Sequence, residues 1–178
     1  MRHRPPILFK ANEGSLDAVQ APIRRATPAD APAIAELFLA ARRSMTYLPA
    51  LHSDDETRAF IAHVVATLEV WVTVTKQDRV TGFAAIHDED KKISLDHLYI
   101  APFAQRLGLG AALLAHVKTQ RPQGFSLWTF DQNHGAKRFY ETHGLSLARK
   151  TDGRDNEEKL ADCLYVWRGK DLVREEDA

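Results

Sequence analysis

The spacing of apolar residues predicts two amphipathic helices near the start of the chain. The first lies within PADAPAIAELFLAARRS, where Asp30 is a candidate N-cap. Its apolar stripe consists of Ala33, Leu37, Ala40 and Ala41, with Ile34 and Phe38 beside it. The second lies within SDDETRAFIAHVVATL, where Ser53 and Glu56 have the spacing of a capping box. The apolar positions of this second helix are Phe60, Ile61, Val64 and Val65.

The apolar period then changes to two, which is typical of strands. VWVTVT and RVTGFAAIH predict a hairpin, and ISLDHLYIAP predicts a strand that ends before Pro102. Further strands are predicted in IRRAT, GFSLWTF, LSLARKT and CLYVWR, and further helices after Gly108 and in NHGAKRFYETHG. The resulting order, βααβββαβαββ, predicts a mixed α/β domain. In it the strands of LYIAP and FSLWTF run parallel and are joined by a right-handed crossover.

Length and composition indicate one globular domain. The chain has 178 residues, of which 44% are hydrophobic and 27% charged, and its 24 basic residues are balanced by 24 acidic ones. Such a balance creates no field that would gather nucleic acid or an anionic membrane surface. We expect a flexible extension over residues 1–22, the domain over 23–170 and a tail over 171–178. The single cysteine, Cys163, and the lack of a signal-peptide core in the sequence predict a cytoplasmic protein.

The stretch AQRLGLGAALLAHV is the first candidate for chemistry, because Gly108 and Gly110 stand where a helix begins. The helix has an apolar face of Leu109, Leu113 and Val117, but no Ser, Thr, Asp or Asn at its entrance to accept from the free N–H groups. Either water or a bound anion satisfies them, and from these residues alone a simple turn is the favoured interpretation.

Several other kinds of site have no support in the sequence. There is no GxxxxGK[ST], GxSxG, HExxH or CxxC motif. The eight histidines and the one cysteine show no spacing typical of metal ligands, so we expect no metal.

The run LDHLYIAPFAQRLGLGAALL resembles the acetyl-CoA signature of the GCN5-related N-acetyltransferase (GNAT) family. In that family a strand ending in LYV and Pro is followed by Q/R-x-x-G-x-G/A, which Gln105, Gly108 and Gly110 match. The family motif N-x-x-A-x-x-F-Y-x-x-x-G-F is similar to NHGAKRFYETHGL, in which Leu145 replaces the final Phe. The matching residues of this second motif are Asn133, Ala136, Phe139, Tyr140 and Gly144.

The resemblance covers Ile23 to about Arg168 and implies an α+β fold of the GNAT type. Its mixed, mostly antiparallel sheet of six to seven strands is splayed at the cofactor strand and flanked by four helices. Acetyl-CoA is the implied co-substrate. The implied pyrophosphate site is the backbone of Arg106, Leu107, Gly108, Leu109, Gly110 and Ala111, with Gln105 before it.

The resemblance also implies where the rest of acetyl-CoA binds. Leu98 and Ile100 offer backbone groups to the pantetheine arm, which lies along the strand as an added strand would. An N–H near Tyr99 or Ile100 meets the oxyanion. At the thiol end the implied contacts come from Asn133, Ala136, Phe139 and Tyr140.

For the reaction, the resemblance implies transfer of an acetyl group to a primary amine by direct attack in a ternary complex. Tyr140 is the implied general acid, although the stripe of Ala136, Phe139, Tyr140 and His143 is also the pattern of plain core. Asp96 is the candidate general base, or else a hydrogen-bonding residue of the acceptor pocket. Strand alternation places His97 on the opposite face, where we interpret it as packed or surface-exposed.

Two loops near the expected acceptor pocket allow two interpretations each. Tyr47, Leu48 and His52 either contact the substrate or only pack. The segment TDGRDNEEKLADC is interpreted as a solvated hairpin turn around Gly153, with attraction of a cationic amine as the alternative. Its acidic residues are Asp152, Asp155, Glu157, Glu158 and Asp162.

The expected partners are acetyl-CoA and an amine acceptor, without nucleic acid or membrane. The acceptor is a small molecule or a peptide, with protein N-termini or lysines as an alternative. A regulatory module that binds acyl-CoA without chemistry is the alternative from another functional class. Members of the family often dimerise, so a homodimer is also left open.

Overall fold

The computed structural model describes residues 21–89 and 92–169. The expected extension, apart from Ala21 and Pro22, and the expected tail lie outside these residues. Elements of the described ranges follow the predicted order. The helices are α1 (Ala31–Arg43), α2 (Asp54–Thr67), α3 (Leu109–Gln120) and α4 (His134–Thr142). The strands are β1 (Ile23–Arg25), β2 (Glu69–Val74), β3 (Val80–Glu89), β4 (Lys92–Ile100), β5 (Phe125–Phe130), β6 (Ser146–Thr151) and β7 (Asp162–Trp167).

The seven strands form one open sheet in the order β1-β2-β3-β4-β5-β7-β6. Only β4 and β5 pair in parallel, as predicted, and every other neighbouring pair is antiparallel. The parallel pair is in register only at Ser94 and Ser126, so the remainder of β4 diverges from β5. The predicted splay of a mixed, mostly antiparallel sheet is therefore confirmed.

The two faces of the sheet carry two hydrophobic cores. On one face, α1 and α2 pack on β2 and β3 through residues that include Ile34, Phe38, Ile61, Val72 and Phe83. On the other face, α3 and α4 pack on the sheet through residues that include Leu113, Leu114, Val117, Leu127 and Tyr165. Each core lies between helices and sheet, and β4 and β5 diverge beyond Ser94 and Ser126, which leaves a gap between the two strands.

Capping explains how the first two helices begin. The predicted capping box is confirmed at α2, because Ser53 accepts from the Glu56 N–H and Glu56 accepts from the Ser53 N–H. At α1, Asp30 occupies the predicted N-cap position, although its side chain makes no cap hydrogen bond. Its carboxylate instead accepts from the Thr27 N–H and forms an ion pair with Arg24 at 2.8 Å, which ties α1 to β1.

The predicted stripe of α1 is rotated slightly in the structure. Ile34 and Phe38, predicted beside the stripe, are buried, whereas Ala33 is exposed. In α2, Ile61 and Val64 are buried as predicted, but Phe60 is 46% exposed. The exposed ring of Phe60 lines a cavity between α1, α2 and the end of β4.

Candidate active site

The loop between β4 and α3 has the backbone geometry of an anion-binding site. Arg106 and Gly108 both have positive φ, 65° and 79°, and Gly108 is the N-cap of α3 without a side-chain cap bond. The first N–H groups of the helix, those of Leu109, Gly110 and Ala111, therefore point out of the helix end without an intrahelical acceptor. A Cβ at Gly108 would meet no atom within 4 Å, so the space in front of these groups is open. Such an arrangement favours a phosphate group.

The end of β4 exposes backbone groups to the gap between β4 and β5. The N–H of Ala101 donates to the carbonyl of Thr81 at 2.9 Å, and Tyr99 pairs with Phe83 in β3. Because bonded positions alternate in an antiparallel ladder, the backbone of Tyr99 also faces β3. The backbones of Leu98 and Ile100 face the gap instead. This alternation favours Ile100 over Tyr99 as the source of an N–H for an oxyanion.

Gln105 and Gly110 hold the loop against its neighbours. The Gln105 side chain donates from Nε2 to the Ile100 carbonyl at 3.2 Å, which fixes the loop to the end of β4. The Cβ position of Gly110 lies 3.5 Å from Cζ of Phe139 and 3.7 Å from Cγ1 of Ile100. The two sequence motifs that carry the resemblance therefore meet at this point, one on each side of the glycine.

Asn133 begins α4 and has a structural role of its own. Its Oδ1 accepts from the N–H of Ala136 at 3.0 Å, which caps the helix. Ala136 and Phe139 are partly buried against the core under α3 and α4. These residues fit a narrow, extended ligand arm that passes between α4 and β4.

Tyr140 is buried in the same core, with 8% of its surface exposed. Its ring packs on Phe139 at 5.4 Å and on Tyr165 at 6.0 Å between centroids. Burial raises the pKa of Tyr140 well above its usual range, so the phenol, which is protonated at neutral pH in any case, holds its proton more tightly. Tyr140 thus has both the buried position predicted for a core residue and the proton that an acid needs.

A β-bulge in β4 corrects the expected orientation of Asp96 and His97. Ala85 pairs with His97 and Ile86 pairs with Leu95, so Asp96 is an extra residue without a partner in β3. Simple alternation predicted that Asp96 and His97 face opposite sides of the sheet, and this prediction is wrong. Both side chains line the same cavity on the side of α1 and α2.

Asp96 and His97 occupy different environments within that cavity. The Asp96 carboxylate accepts from Oγ of Ser94 at 2.5 Å and lies 3.7 Å from Nδ1 of His87. The ring of His97 packs edge-on against Phe38 and Phe60, each at 5.7 Å between centroids. Burial lowers the pKa of His97 below its ordinary value, which favours the neutral imidazole at pH 7.

The cavity has a volume of about 700 Å³ and lies beside the splayed end of β4. α1, α2, their connecting loop, β4, β5 and the loop between β6 and β7 all contribute to its wall. Leu48 and His52 line it, whereas Tyr47 packs on Phe130 at 6.2 Å. The acidic loop was interpreted first as a solvated turn, but its residues Glu157 and Glu158 also line the cavity. No local sequence pattern shows that this loop reaches α1.

The described residues hold no group of three or more His, Cys, Asp or Glu side chains that could bind a metal ion. Within the same ranges, no helix has the length and apolar character needed to cross a membrane.

The arrangement of these parts fits acetyl-CoA. The free N–H groups and open space at the start of α3 suit a pyrophosphate, and the unpaired edge of β4 suits the extended pantetheine arm. The pair of positive φ angles at Arg106 and Gly108 supports this fit independently of the sequence motif.

Comparison with solved structures supports the same fold. The apo form of YjaB from Escherichia coli has 19% identity and a TM-score of 0.68, over 84% of this chain and 98% of that chain. YncA from Salmonella typhimurium, solved with its cofactor acetyl-CoA, has 20% identity and a TM-score of 0.66, over 85% and 95% of the two chains. The ribosomal-protein-S18-alanine N-acetyltransferase from Escherichia coli has 19% identity and a TM-score of 0.64, over 84% and 94%. At this level of identity the likeness shows the fold alone.

A search of curated proteins found no matching sequence. The model of the acetyltransferase (GNAT) family, however, matches residues 33–145, which is more than half of the chain. This range contains both motifs and all of the residues that surround the splay. The chain therefore belongs to the GNAT family of acetyltransferases, for which acetyl-CoA is the acetyl donor.

Proposed function

We propose that the protein transfers the acetyl group of acetyl-CoA to the nitrogen of a primary amine by direct attack in a ternary complex. The observation that carries the proposal is the gap between β4 and β5, because pairing only at Ser94 and Ser126 leaves the backbone edge at the end of β4 without a partner strand. Ile100, Gly110 and Phe139 surround the donor side. His97 and Tyr99 line the cavity on the acceptor side. A neighbouring structure of a ribosomal-protein-alanine N-acetyltransferase supports nitrogen as the accepting atom.

The donor site consists of backbone groups and of residues from both motifs. The backbone from Arg106 to Ala111, with Gln105 before it, binds the pyrophosphate. The backbone groups of Leu98 and Ile100 hold the pantetheine arm, and Asn133, Ala136 and Phe139 flank its thiol end. When bound, acetyl-CoA supplies a thioester carbonyl for attack and a thiolate as the leaving group. The Ile100 N–H faces the gap and donates to the carbonyl oxygen, on which negative charge develops.

Two side chains move protons in this proposal. Asp96 accepts the proton of the amine, directly or through water, while the new C–N bond forms. Tyr140 donates its phenolic proton to the sulfur as the C–S bond breaks. A lysine-like amine with a pKa of about 10.4 is mostly protonated at pH 7, so a base in the acceptor cavity is required for such substrates.

His97 is a second candidate for the base. It lies next to Asp96 on the same cavity, and its lowered pKa leaves the imidazole neutral and able to accept a proton at pH 7. Proton transfer by His97 would weaken as the pH falls through its pKa, because the imidazolium has no free acceptor.

The variant Tyr140→Phe tests the proposed acid. We expect kcat to fall roughly 100-fold with an unchanged Kd for acetyl-CoA, since only the proton donor is lost. Free CoA release with an accepted amine measures kcat, and calorimetry measures the Kd. The matched control is Tyr165→Phe, which removes a buried hydroxyl that donates to Glu141 at 2.6 Å but lies outside the proposed site. An unchanged kcat in Tyr140→Phe would exclude Tyr140 as the acid.

The variants Asp96→Asn and His97→Gln separate the two candidate bases. With Asp96 as the base, Asp96→Asn lowers kcat/KM roughly 100-fold and His97→Gln has a much smaller effect. The profile of kcat/KM against pH provides the second readout. Loss of its acidic limb in His97→Gln alone would assign the base to His97. Binding of acetyl-CoA without CoA release for any amine would support the regulatory module instead.

A further inference from the structure

The chemistry of the acceptor cavity restricts the class of amine that it can bind, an inference that rests on the proposed function. Its volume of about 700 Å³ lies within the range of small-molecule sites, which is roughly 300–1,000 Å³. A molecule of this size would be enclosed by α1, α2 and the end of β4. The cavity therefore favours a small molecule over a protein segment.

Aromatic rings form the inner walls of the cavity. Phe38 packs edge-on against Tyr99 at 4.9 Å between centroids, and His97 continues this layer at 5.7 Å from Phe38. Phe60 and Trp128 also line the cavity, with 46% and 44% of their surfaces exposed. Exposed aromatic faces bind apolar or aromatic groups and also attract cations.

The charged groups of the wall are mainly acidic. Five carboxylates face two guanidinium groups, a formal excess of three negative charges. These residues are Asp54, Glu56, Asp96, Glu157, Glu158, Arg42 and Arg43. An adjoining cavity of about 410 Å³, which shares Trp128 and Glu158, also has more carboxylates than guanidinium groups in its wall. Both spaces therefore attract cations and repel anions.

Each arginine of the wall already pairs with a carboxylate. Arg42 forms an ion pair with Glu158 at 2.9 Å, and Arg43 forms one with Asp54 at 2.5 Å. At the rim, Glu157 lies 2.7 Å from Nε2 of His52. An amino acid in this cavity would place its carboxylate among an excess of like charges, where both arginines of the described wall already pair with carboxylates.

We propose that the acceptor is a small cationic primary amine with an aromatic body and without a carboxylate, the class of the arylalkylamines. The rings of Phe60, Tyr99 and Trp128 in the cavity wall bind the body of the molecule. The acidic wall draws the ammonium group into the cavity, where Asp96 lies at the bulge of β4. Glu157, at the rim, steers the cation during entry.

A matched pair of acceptors tests this proposal. Phenethylamine and phenylalanine differ by one carboxylate, and phenylalanine amide restores the size without the charge. We expect phenethylamine and the amide to have kcat/KM values at least about tenfold above that of phenylalanine, because like charges repel in the cavity. CoA release measures transfer, and calorimetry on the complex with CoA measures acceptor binding separately.

The two readouts distinguish failure of this inference from failure of the proposed reaction. Equal rates of transfer to phenethylamine and phenylalanine would support the proposed acetyl transfer, but would overturn the proposal that the acceptor lacks a carboxylate. Selective binding of phenethylamine without transfer would support the acceptor class and overturn the reaction. Faster acetylation of a peptide N-terminus than of every small amine would overturn the choice of a small molecule.

Charge variants at the rim test the proposed steering. Glu157→Gln should lower kcat/KM for phenethylamine about threefold at low salt, and Glu157→Lys should lower it further. Asp152→Asn is the matched control, because Asp152 lies in the same loop but does not line the cavity. Equal effects of the Glu157 and Asp152 variants would overturn the steering role.

Discussion

Gly108 and Gly110 stand two residues apart at the start of α3, but their surroundings differ. Gly108 has a φ of 79° with open space around its Cβ position, whereas a Cβ at Gly110 would lie 3.5 Å from Phe139. Alanine at Gly108 therefore carries backbone strain of about 1–2 kcal/mol. Alanine at Gly110 is a helical residue in ordinary van der Waals contact, so its effect on stability is neutral or favourable by up to about 1 kcal/mol.

These differences predict separable effects on stability and on binding. We expect Gly110→Ala to keep the melting temperature and to weaken acetyl-CoA binding about tenfold, because the methyl group narrows the passage between Phe139 and Ile100. Gly108→Ala should lower both the melting temperature and the affinity. Thermal melts and calorimetry measure the two quantities. Gly144→Ala, with a φ of 76° and open space, is the control for strain alone. An unchanged affinity for acetyl-CoA in both Gly108→Ala and Gly110→Ala would show that the cofactor does not bind at this loop.

Residue patterns predicted the donor side of the site better than the acceptor side. The glycine loop and NHGAKRFYETHGL are local motifs, so the resemblance to the family assigns their residues, whereas spacing alone favours a simple turn and a core stripe. The orientation of Asp96 depends on a bulge that has no local sequence signal, since it arises from the pairing of β4 with β3. The contact of Glu158 with Arg42 joins residues 116 positions apart and could not be predicted from local patterns.

Helix α2 has a capping box at its start, and residues of the same helix line the acceptor cavity. Its capping box fixes the first turn, and Glu56 of that turn lines the cavity together with Thr57 and Phe60, which follow it. Phe60 was predicted to be a core position from its spacing, yet its exposed ring belongs to the cavity wall. An apolar residue on the edge of a helical stripe can therefore serve a ligand, and periodicity alone cannot separate the two roles.

The variant Ser53→Ala tests this connection. Loss of the cap should lower the free energy of unfolding by about 1 kcal/mol and loosen the first turn of α2. We expect KM for the acceptor to rise a few-fold, with an unchanged Kd for acetyl-CoA, because α2 contributes only to the acceptor side. Thr67→Ala is the matched control at the other end of α2, where the Thr67 hydroxyl donates to the His63 carbonyl at 2.8 Å. An equal rise in KM for both variants would contradict the local role of the cap.

For the whole molecule, the splay divides the sheet into two halves that share one register pair between β4 and β5. The order of the elements within each half could be predicted from periodicity. The point at which β4 diverges from β5 could not be predicted in this way, because it depends on strand pairing that extends no further than Ser94 and Ser126. A ligand that fills the gap replaces missing strand contacts on β4 and thereby joins the two halves.

This view predicts an alternating pattern of hydrogen exchange on binding of acetyl-CoA. At 100 times its Kd the ligand should add about 2.7 kcal/mol to the free energy of unfolding, and raise the melting temperature by roughly 5–10 °C. Amide exchange resolved by residue should slow further at Leu98 and Ile100, which face the gap. The amide of Tyr99 should show little additional local protection, because it already faces β3.

The amides at the start of α3 should also be protected from hydrogen exchange when acetyl-CoA binds. Full acetyl-CoA should also protect the amides of Leu109, Gly110 and Ala111, whereas pantetheine, which lacks the pyrophosphate, should protect only the gap-facing amides of β4. Protection at Tyr99 without protection at Leu98 and Ile100 would contradict the strand-like placement of the arm. The pattern is specific because adjacent residues of one strand have opposite expected responses, which a uniform tightening of the molecule would not produce.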